Sequence, residues 1–110
     1  MHPLRTTRRH RVEALVREGL AAVISLPAGE GLLTLRGVSL NGDFSVATVV
    51  YVLIGGDVTT IDAYLNDNKS RYRHQLAKRL NLRKTPQLVF VYDDKGLADD
   101  EMRRFLDSIA

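Results

Sequence analysis

The 110-residue chain contains no cysteine. That excludes disulfides and thiolate metal sites and suits a reducing compartment, so a cytoplasmic protein is expected. The longest strongly apolar run, residues 46–54, is far too short to span a bilayer. Residues 1–11 are arginine-rich and lack the apolar stretch of a secretory signal. His2, His10 and His74 show no metal-ligand spacing. There is no nucleophile elbow, no Ser-His-Asp arrangement, no Walker A loop and no dinucleotide glycine motif. The acidic group Asp93, Asp94, Asp99, Asp100 and Glu101 lacks the spacing of an EF-hand loop, and turn or helix-capping duty accounts for it better. Nothing therefore argues for catalysis, a metal or a cofactor. Repeats, low-complexity tracts and internal linkers are missing too, so residues 1–110 read as a single domain. With 45% hydrophobic residues, that domain has enough material for a core.

What is present is an uneven distribution of charge. The net charge is only +3. Residues 1–11 hold four arginines, two histidines and no acid, and residues 69–84 hold seven Lys/Arg and no acid. Residues 93–107 hold six acids against three bases. Two basic blocks and one acidic block suggest a polyanion footprint, with ordinary solvated helix faces as the competing account.

Periodicity gives the elements. Val12, Leu15, Val16, Leu20, Val23 and Ile24 recur at helical spacing, predicting a helix over about 6–25 with Gly19 at a close-packing point. Leu33 and Leu35 share one strand parity and Val38 and Leu40 the other, so a bulge is expected at Arg36-Gly37. Asn41-Gly42 signals a two-residue hairpin turn into a strand over 44–54. That strand is apolar on both faces, one carrying Ala47, Val49, Tyr51 and Leu53 and the other Val46, Val50, Val52 and Ile54. The pattern does not say which meets the helices. Asp57 is placed to cap a helix through about 67, with Val58, Ile61 and Leu65 inward. Residues 66–70 interrupt it, and Ser70 is expected to cap a second helix over 71–82 with a Tyr72, Leu76, Leu80 seam. Pro86 opens a strand over 87–92, residues 93–96 turn, and a helix over 98–109 groups Met102, Phe105, Leu106 and Ile109.

This order, α-β-β-α-α-β with a trailing helix, predicts an α+β fold: a three-stranded sheet packed with helices and a kink between the paired ones. It is the order of a type II KH domain, a single-stranded RNA module.

The candidate chemistry lies on the helix after the kink. At about 100° per residue, Arg71, His74 and Lys78 fall together opposite the apolar seam, with Arg79 beside it. Arg83 and Lys84 extend the strip. Backbone N–H groups from Ser70 onward add partial positive charge, making, with the Lys69 side chain, a candidate phosphate cradle. Arg73 falls near the apolar edge and is expected to meet a carboxylate. Arg5, Arg8, Arg9 and Arg11, on an arm over 1–8 and the first turns of the first helix, form a second candidate contact. Tyr64, Tyr72, Phe90 and Tyr92 read as core residues rather than base-stacking platforms.

The run from Arg71 to Asp93 resembles the ribosome-binding factor A signature "(I/L)R…L…L-x-L-R-x-x-P-x-L-x-F-x-x-D". Arg73, Leu80, Leu82, Arg83, Pro86, Leu88, Phe90 and Asp93 occupy its positions. Residues 38–49 resemble the family's "V-x-V-S-x-D-L-x-x-A-x-V" hairpin, and Arg11-Val12 the "R-V" of its first helix. Two departures stand out: Asn68-Lys69-Ser70 replaces the usual Ala-x-Gly kink, and Leu26-Pro27-Ala28-Gly29 replaces a common "D-P-R". The resemblance implies a non-enzymatic, monomeric assembly factor. Its partners would be the small ribosomal subunit and 16S rRNA, with no membrane, and its roles late maturation, processing of the RNA's 5′ end and growth in the cold. A KH-like binder of another single-stranded RNA, or an adaptor using the apolar surface of 44–54, are the alternatives.

Overall fold

The structure, a computed structural model, describes residues 7–109. The elements run α1 (Arg8–Val23), β1 (Leu32–Leu40), β2 (Val46–Ile54), α2 (Val58–Asp67), α3 (Lys69–Leu80), β3 (Gln87–Tyr92) and α4 (Asp99–Ile109). The sheet order is β1-β2-β3, with β1 antiparallel and β3 parallel to β2. A parallel neighbour demands a long crossover, and α2 with α3 supplies it. This is the expected α+β, KH-like arrangement.

The bulge is where parity placed it. Leu35 pairs with Tyr51 and Gly37 with Val50, leaving Arg36 without a partner in the ladder. Val38 and Leu40 thereby join Ala47, Val49 and Tyr51 on one face of the sheet, packed with Val16 and Leu20 of α1, Ile61 and Leu65 of α2, and Tyr72 and Leu76 of α3. The opposite face meets α4. Ser39 Oγ donates to the Leu106 carbonyl at 2.7 Å, and Met102 and Val50 are both buried there. Both apolar faces of β2 are thus used, and only Ile54, at the strand's end, is strongly exposed. An adaptor reading built on the 44–54 surface loses most of its surface.

Other expectations need correction. Asn41-Gly42 does not form a two-residue turn. The loop spans 41–45, and the positive φ falls on Phe44 (63°). Asn41 explains this: its Oδ1 accepts the Val46 N–H at 2.9 Å, its Nδ2 donates to Ser45 Oγ at 2.8 Å, and its carbonyl accepts the Phe44 N–H. These bonds are satisfied only in the longer loop. Leu15 is 45% exposed rather than part of the apolar stripe. It lies about 70° from the centre of the sector that Val12, Val16, Gly19 and Val23 define, on the edge away from buried Leu20. Gly19 is the close approach: a Cβ there would stand 2.6 Å from Leu76 Cδ1 of α3. Of the C-terminal group, Met102 is buried and Leu106 half-buried, whereas Phe105 and Ile109 are exposed.

Candidate nucleic-acid interface

The kink forms one residue pair earlier than expected. Asn68 closes α2 and opens α3 at φ −106°, ψ 10°, with no side-chain cap on α3. Its N–H bonds back to Tyr64 and Leu65 carbonyls and its Nδ2 donates to the Tyr64 carbonyl, so its side chain serves α2. Ser70 is therefore inside the first turn of α3 and not its cap. Among the described residues the N–H groups of Lys69, Ser70 and Arg71 make no backbone hydrogen bond across the junction, which leaves the positive end of α3 open.

Along α3, Tyr72 and Leu76 are fully buried and Arg71, His74, Lys78 and Arg79 are exposed. Among the described residues, no carboxylate lies within salt-bridge distance of any of these four, nor of Lys69, Arg83 or Lys84. Arg71 rests its guanidinium over the Tyr72 ring, 5.6 Å from the centroid. Lys69 departs from the strip: it is half-buried, because seven residues of helix bring it round to the Leu76 side. Among the described residues Arg73 meets no carboxylate. Its Nε donates to the Pro86 carbonyl and its NH2 to the Thr85 carbonyl, both at 3.0 Å, tying α3 to the start of β3. Two carbonyls at the head of a strand lack ladder partners and accept a guanidinium fork as well as a carboxylate would.

The second basic block splits. Arg5 lies outside the described residues. Arg8 opens α1 behind the Thr7 N-cap, whose side chain accepts the His10 N–H. Arg9 turns inward, half-buried and 3.9 Å from Glu13, whose other duty is to accept the Leu40 N–H at 2.7 Å. Arg11 is exposed. Gly19 of α1 packs on Leu76 of α3, and the start of α1 lies beside the segment that follows α3. There Arg8, Arg83 and Lys84 border a cleft of about 360 Å³ with Asp43, Phe44, Val12, Leu82 and Pro86. α3, about 18 Å long, separates the open N–H groups at the kink from the end that borders the cleft. The expected single strip is thus two stations on one helical layer.

Phe44 and Asp43 belong to this cleft; the hairpin resemblance covers both positions but gives neither a binding role. Arg8 sits over the Phe44 ring, 5.1 Å from its centroid. Asp43 Oδ1 accepts both the Ser45 hydroxyl (2.6 Å) and the Ser45 N–H (3.1 Å). Those two bonds, and then the charge of Lys84, hold its carboxyl below the usual range. The available signal was Phe44 itself, an aromatic where the family pattern carries leucine.

The acidic residues do structural work. Asp93 is buried, accepts the N–H groups of Lys95, Gly96 and Leu97, and pairs with Arg36 at 3.0 Å. Asp99 also pairs with Arg36, and Glu101 accepts the Ala98 N–H. Among the described residues no cluster of His, Asp or Glu is placed to hold a metal, and no helix is long and apolar enough to cross a membrane.

Residues 8–106 match the sequence profile of ribosome-binding factor A. The ribosome-binding factor A of Nitrosomonas europaea is 35% identical over 79 residues, covering 70% of this chain and 68% of the relative. The crystal structure of ribosome-binding factor A from Thermus thermophilus superposes with a TM-score of 0.72 at 26% identity, over 81% of this chain and 99% of that one. A homology model of the Thermus thermophilus factor, fitted into a cryo-EM map of a 30S–ribosome-binding factor A complex, gives a TM-score of 0.65 at 23% identity, over 86% and 100%. With nearly its whole length matched, the chain belongs to the ribosome-binding factor A family.

Proposed function

We propose that this chain is a cytoplasmic, non-enzymatic assembly factor that binds the small ribosomal subunit through 16S rRNA and assists its late maturation, including processing of the RNA's 5′ end. The relative fitted into a 30S complex supports that partner. In this reading residues 1–110 act as one unit. Arg71, His74, Lys78 and Arg79 meet phosphates along α3, and the α3 N-terminus at Lys69-Ser70 meets another. Arg83, Lys84 and Arg8 hold RNA at the far end, joined by Arg5, Arg9 and Arg11 of the first basic block. The observation that carries it is the row of exposed cations on α3 with no carboxylate partner among the described residues. Charges left unpaired by the fold need break no ion pair to meet phosphate, and their contacts position without reading sequence. The broken helix at Asn68 adds N–H donors at one end.

The test is co-sedimentation with free small subunits. Arg71→Glu with Lys78→Glu is expected to weaken association at least tenfold while circular dichroism and the melting curve stay near wild type, because both side chains are exposed. Retained association with the folded double variant rejects this face.

A further inference from the structure

We propose that the cleft between the start of α1, the 41–45 loop and the α3–β3 connection holds one unpaired RNA nucleotide, with preference for a base that carries an amino group. The inference rests on the RNA-binding reading above and narrows it.

The cleft joins two kinds of surface. Val12, Leu82 and Pro86 give an apolar floor, and Arg8, Arg83 and Lys84 give a cationic rim. A free phosphate has no use for the floor, and an apolar ligand has no use for three cations. A nucleotide needs both: a flat, weakly polar base and a charged phosphate. The volume of about 360 Å³ falls at the lower end of small-molecule sites, which run from about 300 to 1,000 Å³. Unstacked bases in RNA are commonly held on aromatic rings or guanidinium planes, and the Arg8–Phe44 pair offers both in one place. Phe44 is held there by its positive φ and by the Asn41 hydrogen bonds that shape the loop, so the ring is positioned before any ligand arrives.

Asp43 is the unexpected member, since a carboxylate repels phosphate. Its Oδ1 is taken by the two Ser45 donors, and Oδ2 has no hydrogen-bond partner among the described residues. That oxygen suits an exocyclic amino group, as acidic side chains accept from cytosine N4. The N3–H of uracil is flanked by two carbonyl oxygens, which a carboxylate repels. Asp43 thus favours cytosine or adenine over uracil and pushes the phosphate toward Arg83 and Lys84.

The experiment measures binding of the full chain, by fluorescence anisotropy at one salt concentration, to labelled octamers of cytidine, adenosine, uridine and abasic ribose phosphate. The cytidine and adenosine octamers are expected to bind roughly fivefold or more tightly than the abasic one, with uridine between. Phe44→Leu, which keeps apolar bulk, is expected to shrink the cytidine-to-abasic ratio. Asp43→Asn, which can still bond Ser45, is expected to remove the cytidine-over-uridine preference. Equal binding of base-bearing and abasic octamers overturns the proposal, as does a ratio unmoved by Phe44→Leu. Should that variant fail to fold, the wild-type cytidine-to-abasic ratio decides alone. Small-subunit association that survives alongside base-blind octamer binding rejects the nucleotide cleft only. Association insensitive to the Arg71 and Lys78 reversals rejects the broader reading instead.

Discussion

Tyr51 and Tyr72 sit in the same core, both fully buried, yet their hydroxyls have opposite fates. Tyr51 donates to Asp62 at 2.9 Å. Burial first, and then the Asp62 carboxylate, push its phenol well above the ordinary range. Among the described residues no group stands in hydrogen-bond geometry to the Tyr72 hydroxyl; burial is the main cause of its raised pKa, opposed only in part by the neighbouring Arg71 guanidinium. Its ring is nonetheless well used, edge-on to Phe90 with centroids 6.3 Å apart. Removing a satisfied hydroxyl loses a bond and strands its acceptor, whereas removing an unsatisfied one relieves a desolvation cost. Tyr51→Phe is therefore expected to lower stability by about 1–2 kcal/mol and Tyr72→Phe to leave it unchanged or raise it by up to about 1 kcal/mol. Urea denaturation midpoints of the two variants compare them directly. A loss at Tyr72 equal to that at Tyr51 contradicts the argument. The sequence told that Tyr72 is core, because its spacing to Leu76 is helical. It could not tell which hydroxyl finds a partner, since Asp62 is ten residues from Tyr72 and eleven from Tyr51, and only the sheet-to-helix packing chooses.

Among the elements, α4 is tied to the sheet by one far-reaching side chain, Arg36, beside its packing through Met102 and Leu106. An isolated helix of 11 residues is marginal in water. Its attachment begins at Arg36, released from the β ladder by the bulge. That guanidinium reaches Asp93 and Asp99 at 3.0 Å each and also the Leu97 carbonyl, so one side chain joins β1, the turn after β3 and the first residue of α4. The Asp93 side chain is 3% exposed, and losing its partner leaves a buried carboxylate answered only by backbone N–H groups. Arg36→Met is expected to cost about 3 kcal/mol. In native-state hydrogen exchange, the α4 amides should then open before those of β2. Uniform exchange across α4 and β2 would show that the clasp does not hold α4 separately. The bulge that frees Arg36 was readable from the parity switch between Leu35 and Val38. Its use was not, because Arg36 and Asp93 are 57 positions apart and no local pattern links them. The same holds for Arg73. Its place near the apolar edge was readable, but the Thr85 and Pro86 carbonyls it binds are exposed only by the turn into β3. The 41–45 loop departs from expectation for the converse reason: the Asn-Gly pair carries a strong local preference, which the side-chain bonds of Asn41 override.

At the scale of the whole molecule, the fold sorts a modest net charge of +3 into two unlike sides. Asp93, Asp99, Asp100 and Glu101 near α4 are spent on Arg36, Arg104 and backbone N–H groups. The cations of α3 and the α3–β3 connection, on the other side of the sheet, are left without a carboxylate among the described residues. The basic and acidic blocks were legible in the sequence because each is contiguous. The division of the basic residues into a kink station and a cleft station was not, because it depends on the start of α1 lying beside the segment that follows α3. This separation fixes how binding should respond to salt. Each phosphate contact on a single strand contributes about −0.7 to the slope of log affinity against log salt, and about −0.9 on a duplex. Arg71→Gln with Lys78→Gln removes two proposed contacts and should make the slope shallower by about 1.4 to 1.8. Arg104→Gln removes the same kind of charge from the α4 side, where Asp100 already faces it at 3.8 Å, and should leave the slope as it is. Titrating small-subunit or single-stranded RNA binding between low and physiological salt separates the two variants. If Arg104→Gln flattens the slope by about half as much as the α3 pair, in proportion to the charge removed, affinity follows net charge alone and the α3 face has no special part in it. If only the α3 pair does, the unpaired cations are where counterions leave.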